Sequence, residues 1–315
     1  MLNILIGIPV LDNTEITRAC INRLIKYTEP QQCNLKLTLL IIDNGSREDI
    51  AGLMRKDFSN AVVEIYYRRN PINLGVGIAW NQILRFSPKP VPDASFYYDY
   101  YVILNNDALC GNNWLQPMVK AMESDSRIGW LSCMENGTRL YSDLVEAHAM
   151  TKKFRIISDS PCTTEVIEEN VKKIYQKWGG QEAFCKHVIE EAGLPPFVPF
   201  KGDMHSAVCF MLRPEMIQQM GFFEEDSPPI GVAEDLEYFL RIDRIITPEW
   251  LTEEQYPPGR KWKKGFCSKS IIHHNFWSCT HQGINFDSRK WVKMREKNWK
   301  AKFGKSKKYY TKLLP

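Results

Sequence analysis

No stretch of the 315-residue chain approaches the ~18–20 consecutive apolar residues of a membrane-spanning helix, which excludes a helical membrane protein. The opening residues, MLNILIGIPVLDN, lack both the basic start and the small-residue cleavage site of a secretory signal, so a cytoplasmic protein is expected. There is no CxxC pair among the nine cysteines, and their number is odd. Scattered in this way, they read as reduced thiols and argue against a disulfide framework. A strict GxGxxG is missing, which removes support for a dinucleotide-binding fold. Internal repeats are absent, and low complexity is confined to a basic tail. What remains is an ordinary globular composition, 44% hydrophobic, 25% charged and 12% aromatic. It is too apolar for a disordered chain and long enough for one large or two modest domains.

The net charge of +4 is unevenly spread. From Arg289 to Pro315 there are eleven Lys or Arg and a single acid, Glu296, so this tail carries +10 and the preceding 288 residues −6.

Apolar runs alternate with helical patterns through the first 110 residues. Residues 2–10 read as a strand, and Thr14 as the N-cap of a helix with Ile16, Ala19, Cys20, Leu24 and Tyr27 at helical spacing. Leu35–Ile42 is β-like, Asp43-Asn44-Gly45-Ser46 a turn, and Asp49–Lys56 helical. A third strand over 61–67 and a helix over 78–86 follow, then the break Pro88–Pro92. This alternation predicts an α/β fold with a mostly parallel sheet and right-handed crossovers. Beyond Trp114 the pattern loosens: a helix over 115–122, a short strand over 129–134, a charged helical segment within 136–200 at Thr163–Trp178 and then Gln181–Ala192, and strand-like residues from 201 to 212. A helix over 214–220 closes at Gly221, and another opens at Ala233-Glu234-Asp235 with acids in its first turn.

The most informative stretch is Tyr100–Asp107, YYVILNND, a buried strand that stops in Asn105, Asn106 and Asp107. In open α/β sheets ligands gather at the carboxyl ends of strands. A carboxylate placed there suits Mg²⁺ or Mn²⁺, which take oxygen ligands and substrate phosphates. Asn and Asp are also ordinary turn formers, so this stretch alone leaves both readings open. Three further polar clusters fall at strand ends or helix starts: Asp12-Asn13, Asp43–Ser46, and Asn73-Leu74-Gly75 with Asn81. A parallel sheet brings all four to one rim. Gly75 and Gly77 would let backbone approach a ligand and offer it N–H groups.

Taken in order, IGIPVLDN, LLIIDNGS, NLGVGIAWNQ, VILNNDAL and AEDLEYFLR resemble a family 2 glycosyltransferase of the GT-A type, over about residues 3–241 and as far as 285. The resemblance implies a GT-A, Rossmann-like domain over 1–285. Within it, 1–135 would be the nucleotide-sugar-binding half, 136–200 a helical insertion and 201–285 the acceptor and catalytic half, with 286–315 a basic C-terminal extension. It implies an inverting enzyme that moves a sugar from a nucleotide sugar, expected to be a UDP-sugar, to a hydroxyl of a glycan, cell-wall polymer or lipid-linked acceptor. Pro9, Asp12 and Asp43 would hold base and ribose, and Asn73 and Gly75 would line the nucleotide pocket. Asn105 and Asn106 would shape the turn and contact the donor. Asp107 matches the last acid of the family's metal-binding DxD and would bind Mn²⁺ or Mg²⁺; Asn105 stands at the first position, which leaves one carboxylate. The pair Glu234-Asp235 resembles the family's ED motif, whose aspartate is the catalytic base. Ile271–Ser278 resembles the family's late metal-site histidine, matched best by His274 and next by His273.

Other readings of these residues stand beside the resemblance. Glu234-Asp235 also suits a plain helix N-terminus. Cys267, His273, His274, Cys279 and His281 lie within fifteen residues. They suggest zinc, although their spacing matches no common module; a half-buried histidine pair without metal is the third option. Trp114, Asp203, His205 and Trp277 are candidates for an acceptor cleft, since tryptophan stacks on sugar faces. In the tail, Val292, Trp299 and Phe303 share a helical face among Lys and Arg. That face suits an anionic membrane surface at the inner face, nucleic-acid phosphates or the body of the protein itself. A nucleic-acid acceptor such as modified DNA bases, and a non-catalytic nucleotide- or sugar-binding module, are the rival functions.

Overall fold

The computed structural model describes residues 1–28, 34–59, 61, 63–90, 96–112, 114–154, 163–201, 206–225, 234–248, 262–275 and 288–314. Asp203, His205, Trp277, Ser278, Cys279 and His281 lie outside these residues, as does the side chain of Val292.

Among the described residues nine strands form one sheet: β1 (Leu2–Val10), β2 (Leu35–Asp43), β3 (Glu64–Arg69), β4 (Tyr100–Leu104), β5 (Ala108–Cys110), β6 (Ile128–Glu135), β7 (Phe197–Pro199), β8 (Cys209–Leu212) and β9 (Lys263–His274). Their order is β3-β2-β1-β4-β8-β6-β9-β5, with β7 pairing on β9. β1 is parallel to β2 and β4, and β2 to β3. β8 runs against both β4 and β6, and β6 is parallel to β9. The carboxyl ends of β1–β4, β6 and β9 therefore share one rim. The chain walks outward from β1 to β3 and then returns to the other side of β1 as β4. Such a reversal opens a crevice at the rim, here with Asp12 on one side and Asp107 on the other.

The helices are α1 (Thr14–Tyr27), α2 (Ile50–Asp57), α3 (Val76–Leu84), α4 (Leu115–Ser124), α5 (Ser142–Phe154), α6 (Thr164–Tyr175), α7 (Gln181–Glu191), α8 (Pro214–Met220), α9 (Glu234–Ile242), α10 (Ser288–Phe303) and α11 (Lys307–Thr311). β4 and β6 are buried at every residue. This is why their sequences read as continuous apolar runs rather than alternating ones. An aromatic cluster seats α3 and α9 on the sheet: Trp130 stacks on Phe210 at 4.1 Å and meets Phe239 edge-on at 4.7 Å, while Phe223 packs on Trp80 at 5.0 Å and Tyr238 at 4.6 Å. Each such pair contributes about 0.5–1.5 kcal/mol beyond its buried area. Buried Arg241 completes the seat. It pairs with Glu237 and donates to the carbonyls of Met220 at 2.6 Å and Phe222 at 2.9 Å.

Several local expectations change. Thr14 is the first helical residue instead of the cap. Asp12 and Asn13 turn the chain at φ 58° and 59°, and the capping acceptor arrives from the next loop, where Glu48 Oε2 takes bonds from Thr14 N (2.7 Å) and Oγ1 (2.6 Å). β4 ends at Leu104, and β5 then turns back antiparallel to β9. Trp114 is fully buried, with Nε1 donating to Thr28 Oγ1 at 3.0 Å, so it belongs to the core and not to a cleft. Helix α5 escaped the periodicity argument because only Leu144, Ala147 and Thr151 of its thirteen residues are buried. The segment between 136 and 200 packs on α1, where Arg23 pairs with Glu168 and Thr164 N donates to Glu15 at 3.0 Å, and it supplies β7 to the sheet. No helix among the described residues is long and apolar enough to cross a membrane.

Candidate active site

On the nucleotide side of the rim, the polar loops bond chiefly to one another. Asp12 Oδ1 accepts from Arg47 N at 2.6 Å, and its Oδ2 lies 3.3 Å from the Arg47 guanidinium. Asp43 is fully buried: Oδ1 accepts from Ser46 N (2.8 Å), Oδ2 from Tyr67 Oη (2.6 Å) and Arg69 Nη1 (3.0 Å). Burial, reinforced by Asp43, pushes the Tyr67 phenol up to about 12. Ser46 Oγ in turn accepts from Asp12 N at 2.8 Å, which ties the β1 and β2 loops together. Asn44 is the hub of the next layer. Its Oδ1 accepts from Asn70 Nδ2 and Leu74 N, and its Nδ2 donates to Asn73 Oδ1 and Gly75 O, all within 2.9–3.1 Å. Gly75 adopts φ 92° at the start of α3, a left-handed conformation suited to glycine. Half-buried Pro9 pairs with Ile42 near the end of β1.

At the centre of the rim, Asn106 Nδ2 donates to Thr17 Oγ1 (3.0 Å) and Asn105 N to Val208 O (2.8 Å), which fixes the turn after β4. Asp107 is fully buried, and among the described residues neither of its carboxylate oxygens has a hydrogen-bond donor. A buried carboxylate left in this state is costly unless a cation meets it. Its Oδ2 lies 3.3 Å from His274 Nε2, at ion-pair distance without hydrogen-bond geometry. The other ring nitrogen of His274, Nδ1, donates to Glu135 Oε2 at 2.7 Å. Burial disfavours the imidazolium, but the Asp107 and Glu135 carboxylates outweigh it and push His274 up to about 10. His273, the next residue along β9, faces the opposite side, as strand alternation requires. Its Nδ1 lies 2.9 Å from Tyr175 Oη, and burial pushes it down to about 3, so it is neutral. Among the described residues no three His, Cys, Asp or Glu side chains converge on one point. Once the ring gives up its Nε2 proton to an incoming ion, Asp107 and His274 offer two donors to a hard cation, a number that fits Mg²⁺ or Mn²⁺ completed by substrate phosphates better than structural zinc.

The third part of the site is the start of α9. Gly77 lies against it so closely that a Cβ there would sit 2.7 Å from Glu224 O and 3.0 Å from Glu234 Cγ. Asn81, also on α3, donates to Phe223 O and accepts from Phe223 N, both at 2.9 Å. Glu234 is 3% exposed, and burial raises its pKa; half-buried Asp235 is the more accessible carboxylate. Around them lies the basic tail. Trp299 is 1% exposed and packs on Leu236 and Leu240 of α9 together with Phe303 and Tyr310. Arg295 Nη2 lies 3.7 Å from Glu234 Oε2, and Lys302 pairs with Glu224. Burial pushes Lys307 down while the charges of Asp235 and Glu234 hold it up. Trp299 is therefore spent inside the molecule, while Met294, Tyr309 and Leu313 of the tail stay exposed. Glu135 was not legible as a site residue, since it acts through His274, a partner distant in sequence.

Residues 5–153 match the model of glycosyl transferase family 2. The match covers just under half of the chain, and over that span the sequence is similar to family 2 glycosyltransferases. Among solved structures, the chain is similar to a mannosyltransferase, PcManGT, from Pyrobaculum calidifontis in complex with GDP-Man and Mn²⁺. The two share 12% identity and a TM-score of 0.55, covering 98% of this chain and 67% of that one. It is likewise similar to residues 1–349 of TarS from S. aureus, at 10% identity and a TM-score of 0.50, covering 98% of this chain and 68% of that one. At these identities the likeness establishes the GT-A fold. No curated protein matches by sequence. The matched span contains the Asp12, Asp43, Asn73 and Asp107 loops and runs on through β6 and nearly all of α5.

Proposed function

We propose that this glycosyltransferase is a metal-dependent, inverting enzyme that uses a nucleotide sugar, expected to be a UDP-sugar, and a hydroxyl acceptor on a glycan, cell-wall polymer or lipid-linked chain. The observation that carries the reading is Asp107, a buried carboxylate with both oxygens unused by hydrogen bonds, set at the crevice of the sheet with His274 Nε2 3.3 Å away. Asp107 and His274 would hold Mn²⁺ or Mg²⁺, which when bound supplies positive charge for the departing diphosphate. Pro9, Asp12, Asp43, Asn73 and Gly75 frame the base and ribose, with Asp12 and Asp43 acting through the loops they brace. Asn105 and Asn106 set the turn beside the donor. Asp235 takes the proton of the acceptor hydroxyl as that oxygen bonds to the anomeric carbon and the bond to the nucleoside diphosphate breaks, a role typically worth roughly 10²–10⁴ in rate. Glu234, buried against Arg295, positions the start of α9.

The test is turnover and thermal stabilisation across a panel of UDP- and GDP-sugars with and without Mn²⁺. A ligand present at 100 times its Kd raises stability by about 2.7 kcal/mol. Asp107→Ala should lose Mn²⁺-dependent stabilisation and turnover, and Asp235→Ala turnover alone. Parental activity in either variant would overturn the corresponding role.

A further inference from the structure

Glu135 and Asn136, consecutive residues at the end of β6, hold His274 at two points. Asn136 grips its backbone: His274 N donates to Asn136 Oδ1 at 2.7 Å, and Asn136 Nδ2 donates to His274 O at 3.1 Å. Glu135 holds its ring through the 2.7 Å bond from Nδ1. A carboxylate can only accept, so this bond places a proton on Nδ1 and leaves Nε2 as the nitrogen that faces Asp107. The carboxylate is itself oriented, because Ser206 Oγ donates to its other oxygen at 3.1 Å. Register explains why the three meet. From Trp130↔Lys264 the two strands run in step to Cys133↔Cys267 and resume at Met134↔Ile271, so three extra residues of β9 bulge out and His274 reaches just past the end of β6. The supports are buried, Glu135 at 8% exposure and Asn136 and Asp107 fully covered, while the His274 side chain keeps 14% exposure.

We propose that Glu135 is a positioning residue of the candidate metal site, fixing the ring orientation and tautomer of His274 so that Nε2 is presented to the ion beside Asp107. This inference rests on the metal-site reading above. Partners of this kind, a carboxylate behind a ligating histidine, typically carry 10–100-fold in metal affinity.

The experiment uses the full chain and Mn²⁺ alone, with free Mn²⁺ read by electron paramagnetic resonance. In parallel, the histidine ring nitrogens are read by ¹⁵N NMR in the presence of Mg²⁺; with six histidines the spectrum is assignable. Glu135→Leu fills the space without accepting a bond and should weaken Mn²⁺ by about 10–100-fold, with the His274 ring losing its fixed Nδ1–H form. Glu135→Gln, whose amide oxygen accepts the same bond, should restore most of both. Parental affinity and an unchanged His274 tautomer in Glu135→Leu would overturn the proposal. Asp107→Ala and His274→Ala separate the two layers. If both still bind Mn²⁺ as the parent does, the metal-site reading fails; if both lose it while Glu135→Leu does not, only the role of Glu135 fails.

Discussion

Replacing Asp43 by alanine removes a fully buried carboxylate that three donors share. Bonds to a charged acceptor contribute about 1.5–3 kcal/mol each. Those from Ser46 N and Tyr67 Oη fall in this class at its lower end. The Arg69 side chain is 46% exposed, so solvent screening leaves its share small. The loss should come to about 3–4 kcal/mol, with the β2 loop and its link through Ser46 to Asp12 loosened together. In Asp43→Asn one oxygen still accepts from Ser46 N while the amide turns a donor toward Arg69, so roughly half that loss is expected. Differential scanning fluorimetry reads the outcome as a melting temperature lowered by on the order of 5–10 °C in the alanine variant. Nucleotide affinity should fall in step with the loosened loop. A melting temperature within about 2 °C of the parent, with nucleotide affinity lost, would refute the bracing role and make Asp43 a direct ligand contact instead.

Trp299→Ala should open the tail from α9. Loss of a buried tryptophan costs about 3–5 kcal/mol, here at the low end because the cluster is small, so trypsin cleavage between Lys293 and Lys312 should rise by roughly two orders of magnitude; a parental rate would mean that the tail is held elsewhere. Gly77→Ala drives a methyl against the Glu224 carbonyl, and about 1–3 kcal/mol of strain should appear as reduced turnover and a lower melting temperature, which unaltered values of both would contradict. Arg241→Met strands buried Glu237 and two carbonyls, at a cost of about 3–5 kcal/mol; chemical denaturation that shows less than about 1 kcal/mol would place the anchor of α9 in the aromatic cluster alone.

The alternation of strand and helix and the rim clusters were legible because their signals are local. A run such as YYVILNND states both its burial and its stopping point within eight residues, and a parallel sheet then carries every such stop to one edge. Asp107 stood out for that reason, and the Glu234-Asp235 pair through its resemblance to the family's ED motif. Glu135 did not: at the end of an apolar strand it resembles an ordinary solvent-facing acid, and only the β6–β9 register with its bulge puts it against His274. The choice between His273 and His274 was likewise open in the sequence, since adjacent strand residues differ only in the face they point to, and that face is set by the partner strands. The tail shows the same limit. Its +10 charge and its aromatic spacing are composition, but that Trp299 meets Leu236 and Leu240, bringing Arg295 and Lys307 to the acids of α9, depends on contacts across more than fifty residues. By itself the sequence determined the fold class and the order of the rim loops, because backbone propensity and burial are read over short windows. Tertiary structure alone decided which nitrogen faces Asp107, which carboxylate stands behind it and where the basic tail lies, because those are relations between side chains that meet only once the sheet has formed.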